Sequence, residues 1–398
     1  MIKKKTIVSF IFFAVICYII TPWFFEKKLL LNELFAATGL FLLAYNRFKM
    51  GNDVISICMT VLLAWCGVHL ITSLPRQDSL YYYFRNSVIA YSMFSFFIGF
   101  YLLKYLGSFI SWIRNILRYY IGIFLFIPLP LTFYERYGIS TLFPSLFKNA
   151  RHRLLPTLLI IMNLIYAFTY KSATATMIAA FLFLIFISTG YNFFKQIIAI
   201  CLLAFVLLFI YLQPNLSLIK NKFSPKTTDG ITEVMHSNRL LSIDGNTTWR
   251  MVIWKQIIVD KFPGNLFGLG FGTPVLKYYP IEDYSKLSTL PYVMGGHNSF
   301  VYLFGRLGIV FILLIIPIYV TVFKEYFYNK QYYYTNSEIF IFWSFFIITV
   351  MAMLNPIIES PMFASAYWIL LGFVARSIYN RKLSDKNYLP LCENPIYP

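Results

Sequence analysis

The sequence predicts an all-α integral membrane protein of about twelve transmembrane helices with one long extracytoplasmic loop. Three observations predict it. Of 398 residues, 59% are hydrophobic and only 13% charged, whereas a soluble domain carries about 25% charged residues. Apolar runs long enough to cross a hydrocarbon core of about 30 Å recur from end to end. The basic residues cluster between those runs, as the positive-inside rule requires, and 31 Tyr and 7 Trp suit anchoring at headgroup level.

The spans fall near 6–25, 29–45, 54–74, 87–106, 117–133, 154–170, 173–190, 196–213, 298–323, 338–355 and 360–377. Lys3, Lys4 and Lys5 precede the first run, and no small-x-small cleavage site follows it. It therefore reads as an uncleaved first helix with a cytoplasmic N-terminus. Counted forward, these spans leave 214–297 in the cytoplasm. Counted backward from a cytoplasmic tail with Arg376, Arg381, Lys382 and Lys386, they put it outside. A short sixth crossing around 136–149, interrupted by Pro144, reconciles the two and brings Lys148, Arg151, His152 and Arg153 to the cytoplasm.

Both termini are then cytoplasmic. The chain divides into a bundle of about nine crossings (1–213), an extracytoplasmic loop (214–297), a three-helix membrane segment (298–377) and a tail (378–398). Helical spacing of apolar residues in the loop predicts that it folds onto the membrane domain.

The net charge of +18 does not indicate nucleic acid, because its cations are placed by topology; part of the excess suits anionic lipid or substrate. Cys17, Cys58, Cys66 and Cys201 lie within apolar spans and Cys392 in the tail. No spacing suggests a disulfide framework or a zinc site.

Within the loop, Asp244-Gly245-Asn246-Thr247-Thr248 leads into a helix over 249–262, with Met251, Trp254, Ile258 and Phe262 on one face. Arg250 and Trp254 are neighbours at i, i+4. Pro263 ends the helix, and Gly264, Gly268, Gly270 and Gly272 form either a plain turn or a backbone able to approach a ligand closely. Gly295-Gly296-His297-Asn298-Ser299 opens the tenth crossing, and Gly308 lies eleven residues on, on the stripe below His297. A neutral imidazole suits proton removal from a hydroxyl. Arginine and lysine suit a diphosphate leaving group. One base, several cations and no acidic metal cluster suggest attack by a hydroxyl on a diphosphate-activated carbon at the outer leaflet.

The pattern Arg250-x-x-x-Trp254, the run Pro263…Gly268-x-Gly270-x-Gly272, and His297-Asn298 followed by Gly308 resembles the O-antigen ligase/polymerase superfamily. That group includes Wzy-type polysaccharide polymerases and lipopolysaccharide O-antigen ligases. The motif-bearing match covers roughly 165–310; elsewhere the agreement is in hydropathy and span count. The resemblance implies a GT-C-type, inverting glycosyltransferase of the bacterial inner membrane, with no metal or other cofactor and a periplasmic active site. It implies an undecaprenyl-diphosphate-linked oligosaccharide donor, a glycan or lipid acceptor, and flippase and chain-length regulator proteins as further partners. His297 would be the base and Arg250 the diphosphate ligand, with Trp254, Gly270 and Asn298 nearby. The family's second arginine falls at Thr174, so Lys171, Arg85 or Arg306 would supply that cation.

Plainer readings stand beside each role. Arg250 could stack on Trp254, Lys171 could snorkel at the interface, and Glu359 could orient His297 or cap a helix. Polymerase and ligase differ in acceptor and share the same displacement. A lipid-linked glycan transporter is the competing class, although no internal repeat or midplane carboxylate pair supports it. A structural subunit without an active site would leave the His297 cluster unexplained.

Overall fold

The helix that starts at Val54 begins where the sequence supplies a cap. Asp53 accepts hydrogen bonds from the Ile55 and Ser56 amides at 3.0 and 3.1 Å, satisfying donors that a helix start leaves open. The computed structural model describes residues 31–78, 80–105, 250, 253–261, 265–275, 297–329, 336–360 and 363–388. Among them the regular structure is helical, without strands. We number the α-helices α1 (Leu31–Tyr45), α2 (Val54–Ser73), α3 (Leu80–Ser92), α4 (Phe96–Leu102), α5 (Ser299–Leu307), α6 (Ile309–Tyr328), α7 (Asn336–Leu354) and α8 (Ala364–Tyr388). Two apolar stretches, Val54–Arg76 (23 residues) and Ile309–Tyr328 (20 residues), are long and apolar enough to cross a membrane.

Three spans differ from expectation. The one predicted over 87–106 begins at Leu80 and is tightened by a 3-10 turn at Met93–Ser95. The one predicted over 298–323 is two helices, α5 and α6, parted at Gly308. The last helix continues to Tyr388, well into the predicted tail. The predicted spans 6–25, 117–133, 154–170, 173–190 and 196–213, the crossing at 136–149, and most of the 214–297 loop lie outside the described residues.

Packing centres on α8. Its Gly372 and Gly99 of α4 bring the two backbones together: a Cβ on Gly99 would sit 2.0 Å from the Ile369 oxygen, and one on Gly372 would sit 2.0 Å from that of Phe96. Small residues permit this approach where apolar burial alone cannot distinguish helix from lipid. Tyr319 of α6 joins Tyr367 of α8 and Thr349 of α7 through their hydroxyls.

Contacts sort the helix termini into two ends. At one, the Tyr101 hydroxyl donates to the Lys49 carbonyl at 2.6 Å, and Arg381 pairs with Glu325 at 2.7 Å. Arg47, Lys49, Lys324, Arg376, Arg381 and Lys382 gather there. At the other, Ser365 links Asn32 to Ser95, and the turn 355–360 meets the start of α5. His297 lies at this second end.

Candidate active site

The site is built at the start of α5. Asn298 is extended (φ −154°), and its side-chain oxygen accepts from the Phe300 and Val301 amides at 3.0 and 3.2 Å. It is the helix N-cap, so that oxygen is committed to the fold and not to a ligand. His297, one residue earlier, is held at φ 49°. This left-handed conformation costs a non-glycine residue about 1–2 kcal/mol. The fully buried Ser299 clamps the turn after α7: its hydroxyl accepts from the Ile357 and Ile358 amides at 2.8 and 3.0 Å, and the Asn355 carbonyl and Glu359 carboxylate lie within its reach.

Arg250 reaches this end from another segment. The helix it starts buries Ile253 and Ile257, with Trp254 half-buried against the core. Of the predicted apolar face, Trp254 packs on the core and Ile258 is exposed, while Met251 and Phe262 lie outside the described residues; Ile253 and Ile257 are buried, and the half-buried Arg250 lies on their stripe. The segment widens into a π-helix over Gln256–Lys261. Ile257 packs on Gly305, where an added Cβ would lie 3.0 Å from its methyl group. The segment thus runs alongside α5 in the same direction, with Arg250 beside His297.

The two side chains are coupled. Burial first, and then the Arg250 charge, push the His297 imidazole down to about 4. It is neutral at physiological pH, with a lower proton affinity than a free imidazole. Glu359 moves the other way: burial lifts its carboxyl to about 7, against the lowering hydrogen bond from Ser299. The expected helix cap at Glu359 is replaced by this bond to Ser299. Ser299 itself is the residue sequence reasoning left without a role; the Asn-Ser pair after His297, typical of a helix start, is the signal that marks it.

The glycine run has a different task from ligand approach. Gly268, Gly270 and Gly272 all have positive φ (93°, 70° and 86°), and the loop 265–275 is threaded between α2 and the α5–α6 break. That break frees three carbonyls, each taken by a new donor. Leu269 donates to Gly305 at 3.0 Å, Gly270 to Arg306 at 2.9 Å, and the Trp65 indole of α2 to Leu307 at 2.8 Å. A Cβ on Gly268 would sit 2.3 Å from the Arg306 oxygen, and one on Gly270 would sit 2.1 Å from Ser73 Oγ.

Arg306 belongs to the same joint. It is 2% exposed, and its guanidinium donates to the Gly270 and Thr273 carbonyls and the Tyr302 hydroxyl. Arg306 and Gly270 are both expected as substrate ligands, but Arg306 is buried, with Nη1 and Nη2 engaged by Gly270, Thr273 and Tyr302, and both backbone polar groups of Gly270 are bonded to Arg306. Gly308 does not lie on a stripe beneath His297; it ends the helix (φ 69°, ψ −158°). Arg85 is exposed on α3. Lys171 and Thr174 lie outside the described residues. Among the described residues, no three His, Cys, Asp or Glu side chains converge as metal ligands would.

No protein-family model matches the chain, and no curated protein matches it in sequence.

Proposed function

We propose that the chain is a multi-pass inner-membrane glycosyltransferase that polymerises undecaprenyl-diphosphate-linked oligosaccharide repeat units at the periplasmic face. The observation that carries this reading is the pairing of Arg250 with His297: a half-buried cation and a neutral imidazole, from separate segments, at one end of the bundle. The basic opposite end favours an orientation with that end in the cytoplasm. Twelve crossings with both termini cytoplasmic, and a GT-C-type architecture, complete the proposal.

In this mechanism His297 removes the proton from the acceptor hydroxyl as its oxygen attacks the anomeric carbon. The bond from that carbon to the diphosphate breaks, and its electron pair leaves with the phosphate, held by Arg250. Configuration inverts in this single displacement. The pairing also sets an order. The Arg250 charge suppresses the basicity of His297; a bound diphosphate offsets that charge and strengthens the base. Donor binding therefore activates the site for the acceptor. Lys171, beside Thr174, is the proposed second cation.

The test is His297→Ala and Arg250→Ala, each expressed in a deletion strain, with surface polysaccharide read on a gel and membrane abundance measured in parallel. Loss of long chains at normal abundance is expected. Single repeat units still attached to core identify a polymerase, whereas no attachment identifies a ligase acting on lipid A–core. Normal chains from both variants would overturn the site and favour a transporter.

A further inference from the structure

The hydroxyl of Ser299 has one proton and two lone pairs. The Ile357 and Ile358 amides occupy the lone pairs. The proton has two acceptors in reach, the Asn355 carbonyl at 3.1 Å and Glu359 Oε2, which is closer. A charged acceptor makes the stronger bond, so the arrangement is saturated when Glu359 is ionised and accepts from Ser299. The other carboxylate oxygen, Oε1, is buried without a hydrogen-bond partner. A buried carboxylate half of which is unsatisfied is costly to retain for structure alone. Ser299 is two residues from His297, on the turn that the Asn298 cap fixes.

We propose that Glu359 is a positioning residue for His297: through Ser299 it fixes the strained start of α5, and its carboxylate supplies the negative charge that offsets the imidazolium formed during transfer. This rests on the function proposed above. There, the proton leaves the acceptor hydroxyl for His297, producing a cation beside Arg250. The departing diphosphate neutralises one of those charges and Glu359 offsets the other. Among the described residues, the other carboxylates at this end are Glu33, which accepts from the Tyr91 hydroxyl between α1 and α3, and Asp78, which is exposed beyond α2. The lift of Glu359 to about 7 by burial means that its charge appears in the physiological range.

The test uses full-length protein in proteoliposomes, with undecaprenyl-diphosphate-linked oligosaccharide extracted from host membranes as donor and acceptor. Glu359→Gln keeps the shape and an acceptor for Ser299 but removes the charge. The expected result is normal accumulation, kcat lower by about tenfold or more, unchanged KM, and loss of the wild-type rise in rate through pH about 7. A wild-type rate and pH profile in Glu359→Gln overturns the proposal. If Glu359→Gln does not accumulate, Glu359→Asp carries the test: the limb must move, and a limb at its wild-type position overturns the assignment. His297→Ala and Arg250→Ala separate the two levels. If they abolish transfer while Glu359→Gln behaves as wild type, only the role of Glu359 fails; if they too remain active, the whole site does.

Discussion

Gly270 and Arg306 bond to each other in both directions. The Gly270 amide donates to the Arg306 carbonyl at 2.9 Å, and the Arg306 guanidinium donates back to the Gly270 carbonyl at 3.0 Å. The reciprocal pair closes the gap between α5 and α6, and the same guanidinium reaches Thr273 at 2.5 Å. A side chain at the centre of a helix break thereby determines the path of a loop that starts more than thirty residues earlier in the chain.

Arg306→Ala should lower stability by about 3 kcal/mol or more, since it leaves two carbonyls without a strong charged donor and opens a buried void. Arg306→Lys should rescue little, because an ammonium lacks the planar fork that serves several acceptors together. Thermal unfolding in detergent checks both. Either variant unfolding at the wild-type temperature would remove Arg306 from the joint.

Two glycines of one helix pair should respond oppositely. Gly308 combines φ 69° with ψ −158°, a region essentially restricted to glycine, and a Cβ there would lie 2.3 Å from the Phe267 carbonyl carbon. Gly308→Ala should prevent accumulation. Gly305 is helical, and its Cβ would meet only the side chains of Ile257 and Val275 at 3.0 and 3.3 Å. Helix propensity returns about 1 kcal/mol against that crowding, so Gly305→Ala should accumulate and stay within about 1 kcal/mol of wild type. Membrane abundance and unfolding temperature distinguish them.

These glycines show where the sequence was legible and where it was not. Helix positions were readable because apolar length is a local property: α1, α2 and α7 begin and end close to the expected spans. The placement of His297 at a helix start was readable too, since the Asn298 cap is written within three residues of the amides that donate to it. The break at Gly308 was not. An apolar run interrupted by one glycine looks continuous until a second segment supplies the missing donors, and those donors come from Leu269, Gly270 and Trp65. The same long-range geometry made Arg306 resemble a ligand-binding cation. It also turned Ile257 rather than Ile258 toward the bundle, because Gly305 admits Ile257.

Glu359 and His297 should tilt stability in opposite directions with pH. The Glu359 carboxyl titrates near 4.5 when unfolded and at about 7 in the fold. The folded state holds the extra proton between those values, so its contribution is whole below 4.5 and is lost as pH rises through about 7. His297 titrates near 6.5 unfolded and at about 4 folded, so its contribution is whole above 6.5 and is lost as pH falls toward 4. Glu359→Gln should therefore gain on wild type as pH rises from about 5 to about 8. His297→Ala should lose its disadvantage, or gain, toward the acid end. Unfolding temperatures across that range give the signs directly; a Glu359→Gln difference independent of pH would place its ionisation outside the fold's energetics.

The Arg250 charge should be visible on His297 itself. Burial is the larger cause of the lowered imidazole and Arg250 the second. Arg250→Gln should thus raise the titration midpoint of His297 from about 4 without restoring the ordinary 6.5. The chain has 4 His, so isotope-labelled histidine signals in detergent can be assigned by subtraction with His297→Gln. Inorganic pyrophosphate, offered to the wild type, should raise the same midpoint by neutralising the guanidinium, and should do nothing to Arg250→Gln. The two results together test the order in which donor and acceptor act. A midpoint that rises in Arg250→Gln but ignores pyrophosphate would keep the electrostatic coupling and remove Arg250 as the diphosphate ligand. A midpoint unmoved by either would separate the two residues altogether, and with them the proposed activation of the base by its own leaving group.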